Sequence, residues 1–230
     1  MIADKLARVH ERIASACAGA GRPVQSVTLL VVSKTFAATA VREAFDAGER
    51  HFGENHVQEG IDKMEALADL RAQLEWHLIG PLQSNKTRLA AERFDWVHSV
   101  DRLKVAERLS AQRPVDLPPL SICLQVNISG EATKAGFAPG EVAFAAHAIA
   151  ALPRLALRGL MAIPEPAGDL EAQRRPHRAL RELFESLRRD GLDLDTLSMG
   201  MSGDLEAAIA EGATMVRIGS AIFGGRAPAA

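Results

Sequence analysis

Short apolar runs suited to strands alternate with amphipathic runs suited to helices eight times along this chain, and no other feature of the sequence limits its fold as tightly. The strand candidates fall at 27–33, 50–53, 75–79, 95–99, 120–127, 156–162, 195–199 and 214–218. The first is apolar at five of the six positions before Ser33, as a strand covered on both faces is. Helical spacing fills the intervals 38–47, 55–70, 84–93, 102–112, 139–151, 170–190 and 204–211, and a short helix is expected after Gly219. Gly48, Pro139, Pro153, Gly191 and Gly212 punctuate the joints, where helices stop and turns begin. Eight strands, each followed by a helix and with no run of hairpins, predict an α/β fold of the (β/α)8 TIM barrel type. A doubly wound open sheet would carry a glycine-rich turn after its first strand, and the turn here is Ser33-Lys34-Thr35-Phe36. Ahead of the barrel, the spacing of Ile2, Leu6, Val9 and Ile13 predicts an extra N-terminal helix over 1–21. Its apolar face packs on the body, covering the barrel bottom or serving a contact. No linker interrupts the pattern, so a single domain over 1–230 is expected, with 226–230 frayed.

Composition narrows the function classes. Lysine and arginine number 27 against 29 acidic residues, which leaves no charge excess to favour nucleic acid or a membrane surface as the main partner. The basic cluster Arg174, Arg175, His177, Arg178 and Arg181 lies among acids on a helical stretch and reads as a solvated helix face. Cys17 and Cys123 are far apart and lack metal-ligand spacing, so reduced thiols in a cytoplasmic protein are expected. The start lacks the pattern of a signal peptide, and no apolar stretch reaches transmembrane length.

In a barrel of this kind function gathers at the C-terminal ends of the strands, and phosphate sites favour the loops after strands seven and eight. Lys34 stands at the end of strand one. An amine there projects toward a low-dielectric pocket, where its charged form is disfavoured, and a partly neutral lysine can condense with a carbonyl to a Schiff base. Taken alone it reads more readily as a lysine capping a strand with its head in water. Strand seven ends in Ser198-Met199-Gly-Met-Ser202 and strand eight in Arg217-Ile-Gly219-Ser220, each ahead of an expected helix. Small residues and hydroxyls at two helix starts suit one shared anion, phosphate above all; the alternative is that Ser202 and Ser220 are only N-caps. Arg217 can donate hydrogen bonds but not give up a proton, so beside a pyridine nitrogen it would keep that nitrogen unprotonated; taken alone it reads equally as a partner in a salt bridge at the rim. Lysine, anion site and arginine together form the footprint of pyridoxal 5′-phosphate (PLP) tuned to be a weak electron sink.

Other strand ends are less specific. His77 either touches the cofactor or is a satisfied core histidine, and Asn55 and Asn127 either bond a ring hydroxyl or cap loops. Gln83, Ser84 and Asn85 read as a turn and helix start, and His98 as a loop support. No carboxylate pair or His/Cys cluster falls at these ends with metal or acid–base spacing.

Ordered segments through nearly the whole chain carry a resemblance. They are Val32-Ser-Lys-Thr35, Phe52-Gly-Glu-Asn55 with Val57-Gln-Glu59, and Trp76-His-Leu-Ile-Gly-Pro-Leu-Gln-Ser-Asn-Lys86. Val126-Asn-Ile128, Lys134-Ala-Gly136, Gly159-Leu-Met-Ala162, Leu197-Ser-Met-Gly-Met-Ser202, and Val216-Arg-Ile-Gly219 through Ile222-Phe-Gly224 continue the series. In these the chain resembles the YggS/PROSC family of PLP homeostasis proteins. The resemblance implies a barrel of the alanine racemase N-terminal domain type, with PLP as a Schiff base on Lys34. It also implies phosphate contacts from the Ser198–Ser202 segment and Gly219-Ser220, and Arg217 at the pyridine nitrogen. The candidate cofactor contacts are therefore Lys34, Asn55, His77, Met161, Ser198, Met199, Ser202, Arg217, Gly219 and Ser220. Two positions depart from the family pattern, His56 for tyrosine and Gly203 for aspartate. The family is thought to carry or buffer PLP, which makes PLP-requiring apoenzymes the expected partners of a monomer without turnover. The alternatives are a weakly active PLP-dependent racemase or decarboxylase and an unrelated Schiff-base aldolase. A two-base racemase of the related fold uses a tyrosine opposite its lysine, and this chain contains no tyrosine.

Overall fold

The computed structural model describes residues 1–131 and 133–224, so the expected frayed tail at 226–230 lies outside the described residues. Eight parallel strands close into a barrel in chain order: β1 (Thr28–Val32), β2 (His51–Glu54), β3 (Glu75–Leu78), β4 (Trp96–Val100), β5 (Leu120–Gln125), β6 (Leu155–Met161), β7 (Thr196–Ser198) and β8 (Met215–Ile218). Each lies within a residue or two of its expected span. The pairing of Thr28 with Met215 and of Val31 with Ile218 closes the barrel. Strand five stops at Gln125 because Val126 makes only an isolated bridge to Phe137. Asn127 then caps that loop, its side-chain amide donating to the carbonyls of Glu131 and Lys134.

Helices α2 (Ala38–Asp46), α3 (Val57–Ala66), α4 (Thr87–Arg93), α5 (Leu103–Gln112), α6 (Val142–Ala150), α7 (Leu170–Arg189), α8 (Leu205–Ala210) and α9 (Ser220–Phe223) follow the strands in turn. The expected helix over 55–70 is instead α3 followed by a 3₁₀ turn, Ala68–Gln73. The ranges expected at 84–93 and 139–151 likewise open on 3₁₀ turns, Ser84–Lys86 and Pro139–Glu141.

The N-terminal helix α1 (Ile2–Gly19) buries Leu6, Val9, Ile13 and Cys17 on one face. It packs against α8, α9 and α2, completing the outer helical layer where α9 is only one turn long, and it does not cap the barrel bottom. Fully burying each of its Leu, Val and Ile side chains contributes roughly 1.5–3 kcal/mol. Both cysteines are free and buried. The basic cluster on α7 departs from a plain solvated face. Arg174, Arg178 and Arg181 converge on the buried carboxylate of Glu211, and His177 is buried against Asp204 at 3.0 Å. Among the described residues no helix is long and apolar enough to cross a membrane.

Inside the barrel, Leu30, Val32, Ile79 and Met215 form one apolar layer and Trp96, Cys123 and Met161 another. Polar side chains share that interior: His77, His98, Ser198 and Arg217 are all buried.

Candidate functional site

A cavity of about 480 Å³ opens at the C-terminal ends of the strands, lined by Lys34, Asn55, Gly80, Pro81, Ser202, Gly203, Arg217, Gly219 and Ser220, with apolar walls from Val32, Ile79, Ile163 and Met201. That size lies within the range of small-molecule sites. The lining brings together six of the expected contacts, Lys34, Asn55, Ser202, Arg217, Gly219 and Ser220.

The backbone on both sides of half-buried Lys34 is clamped. Lys63, on α3, donates from Nζ to the Ser33 carbonyl at 2.7 Å, to Glu54 Oε1 at 2.7 Å and to Glu59 Oε1 at 2.8 Å. Glu54 also accepts from Ser33 Oγ at 2.6 Å, and the Thr35 N–H donates to Glu59. Thr35 sits at φ 68°, a left-handed conformation that a β-branched residue adopts only where its surroundings impose it. Burial pushes the Glu54 carboxyl above its usual range against the opposing pull of Lys63. Glu59 and Lys63 lie one helical turn apart, so their pairing was readable from spacing. That Lys63 is buried against the Ser33 carbonyl, next to Lys34 in the chain, follows only from the barrel.

Arg217 is 4% exposed. Its Nη1 donates to the Ser198 carbonyl at 2.6 Å and to Ser198 Oγ at 2.8 Å, and Nη2 donates to the Ala162 carbonyl at 2.8 Å. These use three of a guanidinium's five donors, which leaves two for an occupant of the cavity that Arg217 lines. Burial pushes its pKa down to about 10, so the group stays charged at neutral pH.

Ser202 and Ser220 are not helix caps: Asp204 and Gly219 occupy the N-cap positions of α8 and α9. Their hydroxyls instead face one another at 3.2 Å across the end of the cavity. Asp204 fixes the first of these loops, accepting the Met201 N–H at 2.6 Å while its other oxygen pairs with His177. Because α8 has six residues and α9 four, hydroxyls and loop N–H groups, more than helix dipoles, are what this end of the cavity offers an anion. Gly219 is required by proximity, since a Cβ there would lie 2.9 Å from the Val32 carbonyl oxygen. A Cβ on Gly80 would lie 2.2 Å from the Asn55 carbonyl oxygen, so the close contact of these two cavity loops also depends on glycine.

His77, Met161, Ser198 and Met199, also expected as contacts, lie outside the lining and are fully buried. His77 bonds His98, Met161 packs with Trp96 and Cys123, Ser198 lies behind Arg217, and Met199 belongs to the main core. Sequence reading missed Ile79, Ile163 and Met201 as cavity walls, because apolar residues at strand ends carry no chemical signal. His56 is an exposed N-cap of α3, while Gly203 lines the cavity with open space where a Cβ would sit.

The family described as alanine racemase, N-terminal domain, matches residues 5–227. A relative from Pseudomonas aeruginosa, named a pyridoxal phosphate homeostasis protein, is 60% identical over 225 residues, which span 98% of this chain and 96% of that one. A relative of the same name from Escherichia coli is 54% identical over 226 residues, spanning 98% and 97%. Among solved structures, PipY of Synechococcus elongatus with PLP bound superposes with a TM-score of 0.85 at 39% identity, covering 97% of this chain and 100% of that one. Alanine racemase from Corynebacterium glutamicum shares the fold, with a TM-score of 0.69 at 19% identity over 96% of this chain and 60% of its own.

Proposed function

The chain belongs to the pyridoxal phosphate homeostasis proteins, within the alanine racemase N-terminal domain family, and from that premise we propose that it holds PLP reversibly on Lys34 and serves PLP homeostasis without catalytic turnover. The observation that carries this reading is the convergence of an amine, a buried guanidinium and paired hydroxyls on one cavity. Each of the three suits a different part of PLP. The Lys34 amine condenses with the aldehyde, releasing water and forming the Schiff base. Ser202 and Ser220, with the N–H groups of their loops, receive the phosphate. Arg217 offers its remaining donors to the ring nitrogen and so keeps it unprotonated. When bound, PLP supplies an electron-withdrawing ring conjugated to its aldehyde carbon, and a donor at the nitrogen leaves that withdrawal weak.

The absence of tyrosine from the chain removes the residue that a two-base racemase of this fold sets opposite its lysine. An open cavity with one proton-transferring side chain suits exchange of cofactor better than racemisation. The recipients on this reading are apoenzymes that require PLP. Two buried free thiols accord with the reducing cytoplasm.

The visible spectrum of the purified protein and of Lys34→Ala tests the proposal. A yellow absorption band, lost in the variant, is expected. A colourless wild type that PLP cannot reconstitute would overturn it, and sustained turnover of any amino acid would overturn the carrier role.

A further inference from the structure

Arg217 stands at the head of a file of side chains that crosses the barrel interior. Ser198 Oγ lies 2.8 Å from Arg217 Nη1, and His98 Nδ1 lies 2.8 Å from that oxygen. His77 Nδ1 follows, 2.9 Å from His98 Nε2. Glu75 Oε1 lies 3.0 Å from His77 Nε2, and His51 Nδ1 lies 3.1 Å from Glu75 Oε1. Ser198, His98 and His77 are buried, whereas Glu75 and His51 are partly exposed. Glu75 and His51 open on a separate cavity of about 430 Å³ that Arg158 and Asp195 also line. The file therefore joins the C-terminal mouth, where the cofactor cavity lies, to the N-terminal mouth.

Its two ends favour one direction for every proton between them. A guanidinium only donates, a carboxylate only accepts, and a neutral imidazole has one nitrogen of each kind. Ser198 Oγ accepts from Arg217 and so donates to His98 Nδ1. His98 then carries its proton on Nε2 and gives it to His77 Nδ1, and His77 presents Nε2–H toward Glu75. Burial lowers the pKa of both imidazoles, which keeps them in the neutral form this order requires. The final approach is electrostatic, because His77 Nε2 is close to the Glu75 oxygen but not in line for a hydrogen bond.

His51, Glu75 and His77 also place ligand atoms within 4.8 Å of one another, a spacing that suits a metal ion. A cation there needs the Nε2 lone pair of His77 and reverses the file. Ser198 Oγ would then accept from both neighbours, with its own proton left over in the core. The hydrogen bonds favour the proton order over the metal.

We propose that Ser198, His98 and His77 are positioning residues for the cofactor's ring nitrogen, anchored by Glu75 at the opposite mouth. Through them the Ser198 lone pairs are held toward Arg217, and Arg217 is held toward the ring. This rests on the reading that PLP binds with its ring nitrogen at Arg217.

The test compares PLP affinity and the absorption maximum of bound PLP in wild type, His77→Phe, His77→Gln and Glu75→Gln. His77 does not line the cofactor cavity, so an effect on the cofactor must travel along the file. His77→Phe leaves the His98 proton without an acceptor, and an affinity loss of about tenfold with a displaced maximum is expected. Gln retains an acceptor and a donor, and should restore affinity to within about threefold of wild type. Glu75→Gln removes only the anchoring charge at a partly exposed position, and should displace the maximum in the same direction even if His77→Phe fails to fold. Wild-type affinity and spectrum in both Glu75→Gln and folded His77→Phe would overturn the proposal. So would zinc bound stoichiometrically by the wild type as purified and lost in His51→Ala, since a resident metal reverses the proton order. A wild type that binds no PLP would instead sink the underlying functional reading.

Discussion

Lys63 clamps the backbone beside Lys34, its ammonium tying the Ser33 carbonyl to Glu54 and Glu59. Removing one partner of a buried ion pair leaves the other charge uncompensated, typically at a cost of about 3–5 kcal/mol. Lys63→Met should therefore lower stability to urea by about 3 kcal/mol, and Lys63→Met with Glu54→Gln should recover part of that loss. An unchanged midpoint in the single variant would show that the clamp is not holding the loop. At the other end of the cavity, the facing hydroxyls of Ser202 and Ser220 should discriminate between ligands with and without phosphate. Hydrogen bonds to a charged group are worth about 1.5–3 kcal/mol, so Ser202→Ala with Ser220→Ala should weaken PLP binding by roughly tenfold or more. Binding of pyridoxal, which has no phosphate, should be unchanged in a parallel titration, and an equal loss for both ligands would place the phosphate elsewhere.

Among the elements, α1 docks through an apolar stripe and through His10, whose Nε2 lies 2.6 Å from Glu49 Oε1. The hydrogen bond that His10 donates to Glu49 raises the His10 pKa above its ordinary 6.5, outweighing partial burial. A raised histidine pKa adds stability that is complete below the unfolded value and is lost as pH rises through the folded value. Corrected amide exchange in α1 should accordingly quicken as pH rises through that range, and His10→Ala should abolish the dependence. Most elements were legible in the sequence because strand and helix periods differ. The break after Ala66 was not, since Leu67, Leu70 and Leu74 stay buried through the 3₁₀ turn and their spacing serves either geometry. The same distinction governs the site. Strand-end position anticipated the place of Lys34, Arg217 and the two serines in the cavity lining, but His77, Met161 and Ser198 lie outside that lining. How deep a strand residue sits in the barrel depends on the stagger of the strands, which local periodicity does not encode.

For the molecule as a whole, the exposed large apolar side chains among the described residues, Met1, Val24, Val115, Phe144, Ile163 and Leu170, lie on separate segments. Monomers rarely expose large contiguous apolar patches, and these residues do not follow one another along any one element. Light scattering should report a single species near the chain mass of 24.7 kDa, and a dimer mass at micromolar concentration would refute the expected monomer. A charged arginine, paired hydroxyls and a clamped lysine meet at one mouth of the barrel, and on the proposed reading they hold PLP through a single covalent contact. That contact can be read directly by reducing the PLP-loaded protein with borohydride and mapping its peptides by mass spectrometry. The expected result is one pyridoxyl phosphate group, on the peptide containing Lys34; a label on another lysine, or none, would contradict the account.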